Sequence, residues 1–132
     1  MKRTILAITT GLVTWVAIAA IGGVIIRATW SAYVAVEDSG EFTLPMQFAR
    51  LGLGVIASIG AGWVTALIMR RSSNAPVILG IIFLVLFIPQ HIFLWEKFPI
   101  WYHLWFLLTL VPLSYLGGKL FSMRSKPARP SP

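Results

Sequence analysis

The chain has 132 residues, of which 58% are hydrophobic and 11% charged, and it contains no cysteine. A soluble domain of this size cannot bury so much apolar surface, so the composition indicates a membrane protein. The absence of cysteine excludes disulfides, thiolate metal sites and thiol redox chemistry. The formal net charge of +7 would suggest nucleic acid in a soluble protein. Here the basic residues flank apolar runs and predict topology instead, and we expect no nucleic-acid partner.

Four apolar runs each provide the about 20 residues that a membrane-spanning helix needs. They predict an all-α membrane protein, a four-transmembrane-helix up-down bundle that occupies residues 1-121. The expected spans lie at about 5-26, 45-69, 76-95 and 100-119. Residues 122-132 are basic and rich in proline and serine, which predicts a disordered cytoplasmic tail.

The first run is uncharged from Ile5 to Ile26 and follows Lys2 and Arg3. A basic start before an apolar stretch is also typical of a signal peptide, which is the alternative interpretation. The hydrophobic region of a signal peptide has about 7 to 15 residues, and this run is longer. We therefore expect an uncleaved span.

Residues 27–44 form the longest connection and contain Glu37, Asp38 and Glu41. The segment fits a helical extension of the first span, a turn at Ser39 and Gly40, and a helix start near Thr43. No part of it resembles a catalytic motif.

Small residues recur every three or four positions along one face of the second span. They are Gly54, Ala57, Ser58, Ala61, Gly62 and Thr65. Such a face allows close helix contact in lipid. It predicts that this span is the central helix of the bundle, and a homodimer seam is the alternative.

The third and fourth spans form a hairpin that turns at Lys97, with Pro89 and Pro112 as expected kinks. His91 and His103 each lie six residues from Lys97, so the hairpin brings both rings to one depth. Arg50 lies at a similar depth, about 7 Å into the second span.

The charges predict an orientation. With both termini in the cytoplasm, most basic residues are cytoplasmic, namely Lys2, Arg3, Arg70, Arg71, Lys119, Arg124, Lys126 and Arg129. All four acidic residues lie on the other side. Because short loops obey the positive-inside rule, we expect both termini to be cytoplasmic.

The stretch Phe98-Pro99-Ile100-Trp101-Tyr102-His103 resembles a family of short four-span bacterial inner-membrane proteins of no established activity. The resemblance covers mainly the third and fourth spans. It implies a multi-pass protein of the bacterial cytoplasmic (inner) membrane, and it implies no chemistry.

Ionisable groups at membrane depth are costly, so they define the candidate ligand-binding site. Its residues are Arg50, His91, His103, Gln47, Gln90, Trp101 and Tyr102. The structural alternative for Arg50 is a pair with a loop carboxylate or a lipid phosphate, and the histidines are equally explained as interfacial residues.

Neither metal nor cofactor is expected. Two imidazoles are too few for a zinc site, and haem needs more space than the about 8 to 10 Å between packed helices. Paired carboxylates, a serine elbow and a phosphate loop are all missing from the sequence, so we assign no catalytic residue.

Three functions remain. The first expectation is a non-catalytic structural or accessory subunit whose partners are membrane lipids and a larger membrane complex or a second copy. The second is an outer-leaflet module that binds a lipid or amphipathic ligand through Arg50, His91 and His103. The third is an enzyme that acts on a lipid-linked substrate.

Overall fold

A computed structural model of the protein describes residues 2–70 and 74–124. Over these residues the chain is helical, with α1 (Lys2–Thr29), α2 (Ser31–Glu37), α3 (Leu44–Met69), α4 (Ala75–Phe93) and α5 (Ile100–Arg124). Among the described residues, α1, α3, α4 and α5 are the helices long and apolar enough to cross a membrane. The all-α prediction with four potential spans is therefore confirmed.

The helix bounds differ from the predicted spans by up to five residues, and α1 is longer than predicted at both ends, Lys2–Thr29 against 5-26. α4 ends at Phe93 rather than 95, and residues 94–98 form turns before α5. α5 continues past 119 to Arg124, so residues 122–124 are helical rather than disordered. Residues 119–124 contain neither glycine nor proline to end the helix, and Ser122 Oγ donates a 3.1 Å hydrogen bond to the Gly118 carbonyl. The predicted disorder of residues 125–132 falls outside the described residues.

The connection between α1 and α3 folds as its sequence indicates. Gly40 has a φ of +74°, in the left-handed region that glycine adopts readily, and its N–H donates to the Val36 carbonyl at 2.9 Å. Thr43 then caps α3, and Pro45 occupies its first turn. This arrangement holds α2 and the 38–43 segment against the end of the bundle.

Contacts along the helices define an up-down bundle. α1 is antiparallel to α3, since Thr65 Oγ1 donates to the Ala7 carbonyl at 3.3 Å and Trp15 Nε1 donates to Ser58 Oγ at 3.1 Å. α4 is antiparallel to α5, since the His91 ring meets that of His103 at one end and Gly118 lies against Pro76 at the other. α3 and α5 are parallel, since Arg50 contacts Tyr102 at one end and Gly62 meets Ser114 further along.

We call the end with α2 and residues 94–99 the hairpin end, and the end with Lys2 and Arg124 the terminal end. The core cluster of Ala61, Leu79, Phe83 and Leu110 lies between these ends.

The small residues of α3 are all buried inside this bundle, namely Gly54, Ala57, Ser58, Ala61, Gly62 and Thr65. A Cβ added to Gly62 would overlap the backbone carbonyl of Ser114, and one added to Gly117 would overlap that of Ile59. α3 and α5 are thus in backbone contact. The prediction that α3 is the central helix is confirmed, and the chain itself covers the face that would have formed a homodimer seam.

Candidate functional site

A cavity of about 190 Å³ lies in the half of the bundle nearer the hairpin end. All five helices contribute to its wall. Its apolar lining includes Trp15, Ala19, Leu53, Phe87 and Phe106, and its polar lining consists of Arg27, Tyr33, Arg50, Gln90, His91 and Tyr102. The site is therefore amphipathic, with polar groups gathered toward one end.

α1 and α4 both border the cavity, and they meet through aromatic rings at its wall. Trp15 packs on Phe83 and Phe87 with ring centroids 5.7 and 4.8 Å apart. Beyond Trp15, Ala19 and Gly23 of α1 line the cavity opposite α4. Small side chains on α1 leave this space unfilled.

Arg50 lies at the polar end and is held by two tyrosines. Its Nη1 donates to Tyr33 Oη at 2.7 Å, and its Nε donates to Tyr102 Oη at 3.2 Å. Tyr33 comes from α2 and Tyr102 from α5, and both are buried. The guanidinium therefore connects three separate elements.

Two phenylalanine rings also contact the guanidinium. Its Cζ lies 4.9 Å from the centre of Phe42 and 5.4 Å from the centre of Phe98. Phe98 in turn stacks on Tyr102 at 4.2 Å with an interplanar angle of 13°. Cation–π attraction stabilises the charge, but neither ring neutralises it.

Within residues 2–70 and 74–124, no carboxylate lies within 4 Å of Arg50. Glu37 pairs instead with Arg27, whose Nε is 2.7 Å from Glu37 Oε1. The alternative interpretation of Arg50 as one partner of a loop ion pair is therefore wrong for the described residues.

The two predicted histidines meet directly. Their Nδ1 atoms are 2.7 Å apart, and the ring planes are nearly perpendicular at 83°. His103 is fully buried, its Nε2 lies 3.2 Å from the Trp95 carbonyl oxygen, and the Trp95 indole stacks on it at 4.7 Å. Only His91 of this pair lines the cavity.

The remaining predicted residues divide between the cavity and its surroundings. Gln90 and Tyr102 line it. Gln47 does not, since its Nε2 donates to the Phe42 carbonyl at 3.3 Å. Trp101 packs on Phe48 outside the cavity, at 5.7 Å between ring centroids.

Sequence reasoning missed the contributions of Tyr33, Phe42 and Arg27. Each lies at or near the 27–44 connection, whose course over the bundle the sequence does not reveal. The aromatic residues of this segment, Trp30, Tyr33 and Phe42, were the available signal.

No family model matches the chain, and no curated protein or solved structure is significantly similar to it. The resemblance of the 98–103 stretch to short four-span bacterial proteins therefore stays a prediction.

The described residues contain no group of three or more histidine, aspartate or glutamate side chains close enough to hold a metal ion. The cavity offers Arg50 as a cation with no carboxylate partner among the described residues, Arg27 already paired with Glu37, two hydroxyl groups, an amide, an imidazole and an apolar wall. That set suits noncovalent recognition of a molecule with one anionic end.

Proposed function

We propose that this protein is a four-span protein of the bacterial inner membrane that binds an anionic amphipathic molecule in the cavity between α1 and α4. In this proposal both termini are cytoplasmic, so the hairpin end and the cavity lie in the outer half of the bilayer. The observation that carries the proposal is Arg50, a guanidinium at an apolar cavity with no carboxylate partner among the described residues.

The hydrogen bonds around Arg50 favour an anion over a neutral ligand. A guanidinium has five N–H donors, and two of them bind the tyrosines, which leaves three. Because each tyrosine oxygen accepts from Arg50, each hydroxyl hydrogen is available to another acceptor. Arg50, Tyr33 and Tyr102 thus present several donors around one point, as phosphate recognition requires.

The lining below Arg50 fits the apolar part of such a molecule. Along α1 the wall extends from Trp15 to Arg27, a rise of about 18 Å. Aromatic and small side chains form most of this wall, with Arg27 at the polar end. A head group at Arg50 would leave its chain directed along this surface.

An accessory subunit has less support from the structure than a binding module. The small-residue face of α3, which motivated an external partner, is covered by α5 and α1 of the same chain. An enzyme would need a nucleophile or carboxylate beside the histidine pair, and the described residues that line the cavity include no carboxylate, serine, threonine or cysteine.

The topology can be tested because the chain has no native cysteine. Ser39→Cys at the hairpin end is expected to react with a membrane-impermeant maleimide in intact spheroplasts. Met123→Cys, which replaces a side chain 60% exposed near the terminal end, is expected to react only after permeabilisation. The reverse labelling pattern would contradict the proposed orientation.

Binding can be tested on delipidated protein with two amphiphiles that share one chain. Hexadecyl methyl phosphate carries one negative charge, and its neutral triester, hexadecyl dimethyl phosphate, carries none. We expect the anionic compound to bind at least about tenfold more tightly, by native mass spectrometry or calorimetry, because charge-assisted hydrogen bonds contribute about 1.5 to 3 kcal/mol.

A cavity-filling variant checks the place of binding. Ala19→Leu should lower the affinity for hexadecyl methyl phosphate by about tenfold or more, because Ala19 lines the cavity. Ala20→Leu, one position along α1 at an exposed residue, is the matched control and should bind as the unmodified protein does. Equal loss in both variants, or none in either, would contradict binding in this cavity.

A further inference from the structure

The histidine pair has one hydrogen-bond arrangement that its surroundings favour. His103 Nε2 lies 3.2 Å from the Trp95 carbonyl oxygen. A carbonyl oxygen only accepts hydrogen bonds, so this nitrogen must carry a hydrogen. In a neutral imidazole the other nitrogen then has none, and His103 Nδ1 is an acceptor.

This assignment determines the state of His91. Its Nδ1 lies 2.7 Å from His103 Nδ1, so His91 Nδ1 must supply the hydrogen between them. The second nitrogen of His91, Nε2, is then unprotonated and keeps its lone pair. The protons are assigned here from the partners of each nitrogen.

If the histidine pair carried an extra proton, His91 Nε2 could be protonated, but the surroundings of the pair disfavour the charged state. An extra proton would put a second positive charge beside Arg50, with no carboxylate within 4 Å of the guanidinium or either ring among the described residues. Charge without a counter-ion is costly at this depth.

His91 Nε2 has no hydrogen-bond partner among the described residues, and His91 lines the cavity. Its ring lies between Phe106, at 4.7 Å, and Tyr102, at 6.3 Å. The free acceptor is therefore in the same cavity as the donors of Arg50 and the two tyrosines.

We propose that the site selects an anionic head group that carries a hydrogen-bond donor close to its negative charge, such as a hydroxylated phosphodiester. His91 Nε2 accepts from this donor while Arg50 and the tyrosines bind the anion. His103 and the Trp95 carbonyl are positioning groups that fix the His91 tautomer. The inference rests on the proposed anion site and adds the chemistry of the group beside the anion.

The test uses two phosphodiesters with the same charge and chain. Hexadecyl 2-hydroxyethyl phosphate has one hydroxyl donor, and hexadecyl methyl phosphate has none. The delipidated protein is expected to bind the hydroxylated compound about 3- to 10-fold more tightly, as one additional hydrogen bond implies. His91→Phe should reduce this ratio to about one.

The two proposals fail in different ways. Equal binding of the two esters by the unmodified protein overturns the role of His91, but leaves the anion site in place if both bind more tightly than the neutral hexadecyl dimethyl phosphate. No preference for either anionic ester over hexadecyl dimethyl phosphate overturns the proposed function itself. Loss of the ratio in Gln90→Leu rather than in His91→Phe would also overturn the role of His91, because the Gln90 amide oxygen is another acceptor on a cavity side chain.

A spectroscopic measurement keeps the inference testable if His91→Phe does not fold. ¹⁵N NMR of the histidines in the unmodified protein should show an unprotonated Nε2 for His91 and a protonated Nε2 for His103. The opposite assignment for His91 would overturn the inference.

Discussion

Replacement of Arg50 by glutamine is expected to lower the affinity for hexadecyl methyl phosphate by about 10- to 100-fold, as loss of charge-assisted hydrogen bonds implies. Glutamine removes the positive charge and the forked donors that face the cavity. Titration of the delipidated variant by calorimetry measures the change. The affinity for the neutral hexadecyl dimethyl phosphate should fall less, because this ester has no negative charge to pair with the guanidinium.

Arg27→Gln is the matched control for this prediction. Arg27 also lines the cavity, but it is paired with Glu37 and its side chain is 53% exposed. Because Glu37 already neutralises the Arg27 charge and solvent screens it, we expect the affinity to fall by no more than about threefold. The affinity of Arg50→Lys should lie between those of the unmodified protein and Arg50→Gln, since lysine keeps the charge and loses the planar fork of donors.

Two results would contradict the binding of the anion by Arg50. If Arg50→Gln binds the anionic ester as the unmodified protein does and merely unfolds at a lower temperature, then Arg50 only ties α2 and α5 to α3. A larger loss of affinity in Arg27→Gln than in Arg50→Gln would mean that the anion binds at Arg27, at the rim of the cavity.

Gly62→Ala is expected to destabilise the bundle by about 1 to 3 kcal/mol, the cost typical of overpacking. The new methyl group would overlap the Ser114 carbonyl, and two backbones cannot give way as a flexible side chain can. The higher helix propensity of alanine, worth up to about 1 kcal/mol, offsets only part of this cost. Thermal unfolding in detergent, followed by tryptophan fluorescence, measures the difference.

Gly52→Ala provides the control on the same helix. A Cβ at Gly52 meets no atom within 4 Å, so the substitution should be neutral or stabilising by up to about 1 kcal/mol. Equal stability of the two variants would mean that α3 and α5 are not in backbone contact at Gly62.

The sequence predicted the helices and the paired histidines because both depend on local or symmetric features. Apolar runs of sufficient length mark the potential spans. The equal spacing of His91 and His103 from Lys97 is a property of any hairpin that turns there, and their Nδ1 atoms indeed meet. The small residues of α3 likewise indicated a close contact, although not which helix would make it.

The polar environment of Arg50 could not be predicted in the same way. It depends on how the 27–44 connection folds back, which brings Tyr33 and Phe42 over a residue of another helix. Depth along the helices predicts Gln47 and Trp101 in the site, but depth does not fix the side of a helix that faces a cavity. Their contacts with Phe42 and Phe48 place them outside the cavity.

The parallel packing of α3 on α5 also has a consequence for how the protein is made. Arg50 and Tyr102 are 52 positions apart, and all of α4 is translated between them. A nascent chain released before Ile100 therefore holds Gly62 of α3 without the α5 backbone that covers it. The bundle closes only once the ribosome has delivered α5, so early termination yields a product that lacks the backbone contact between α3 and α5.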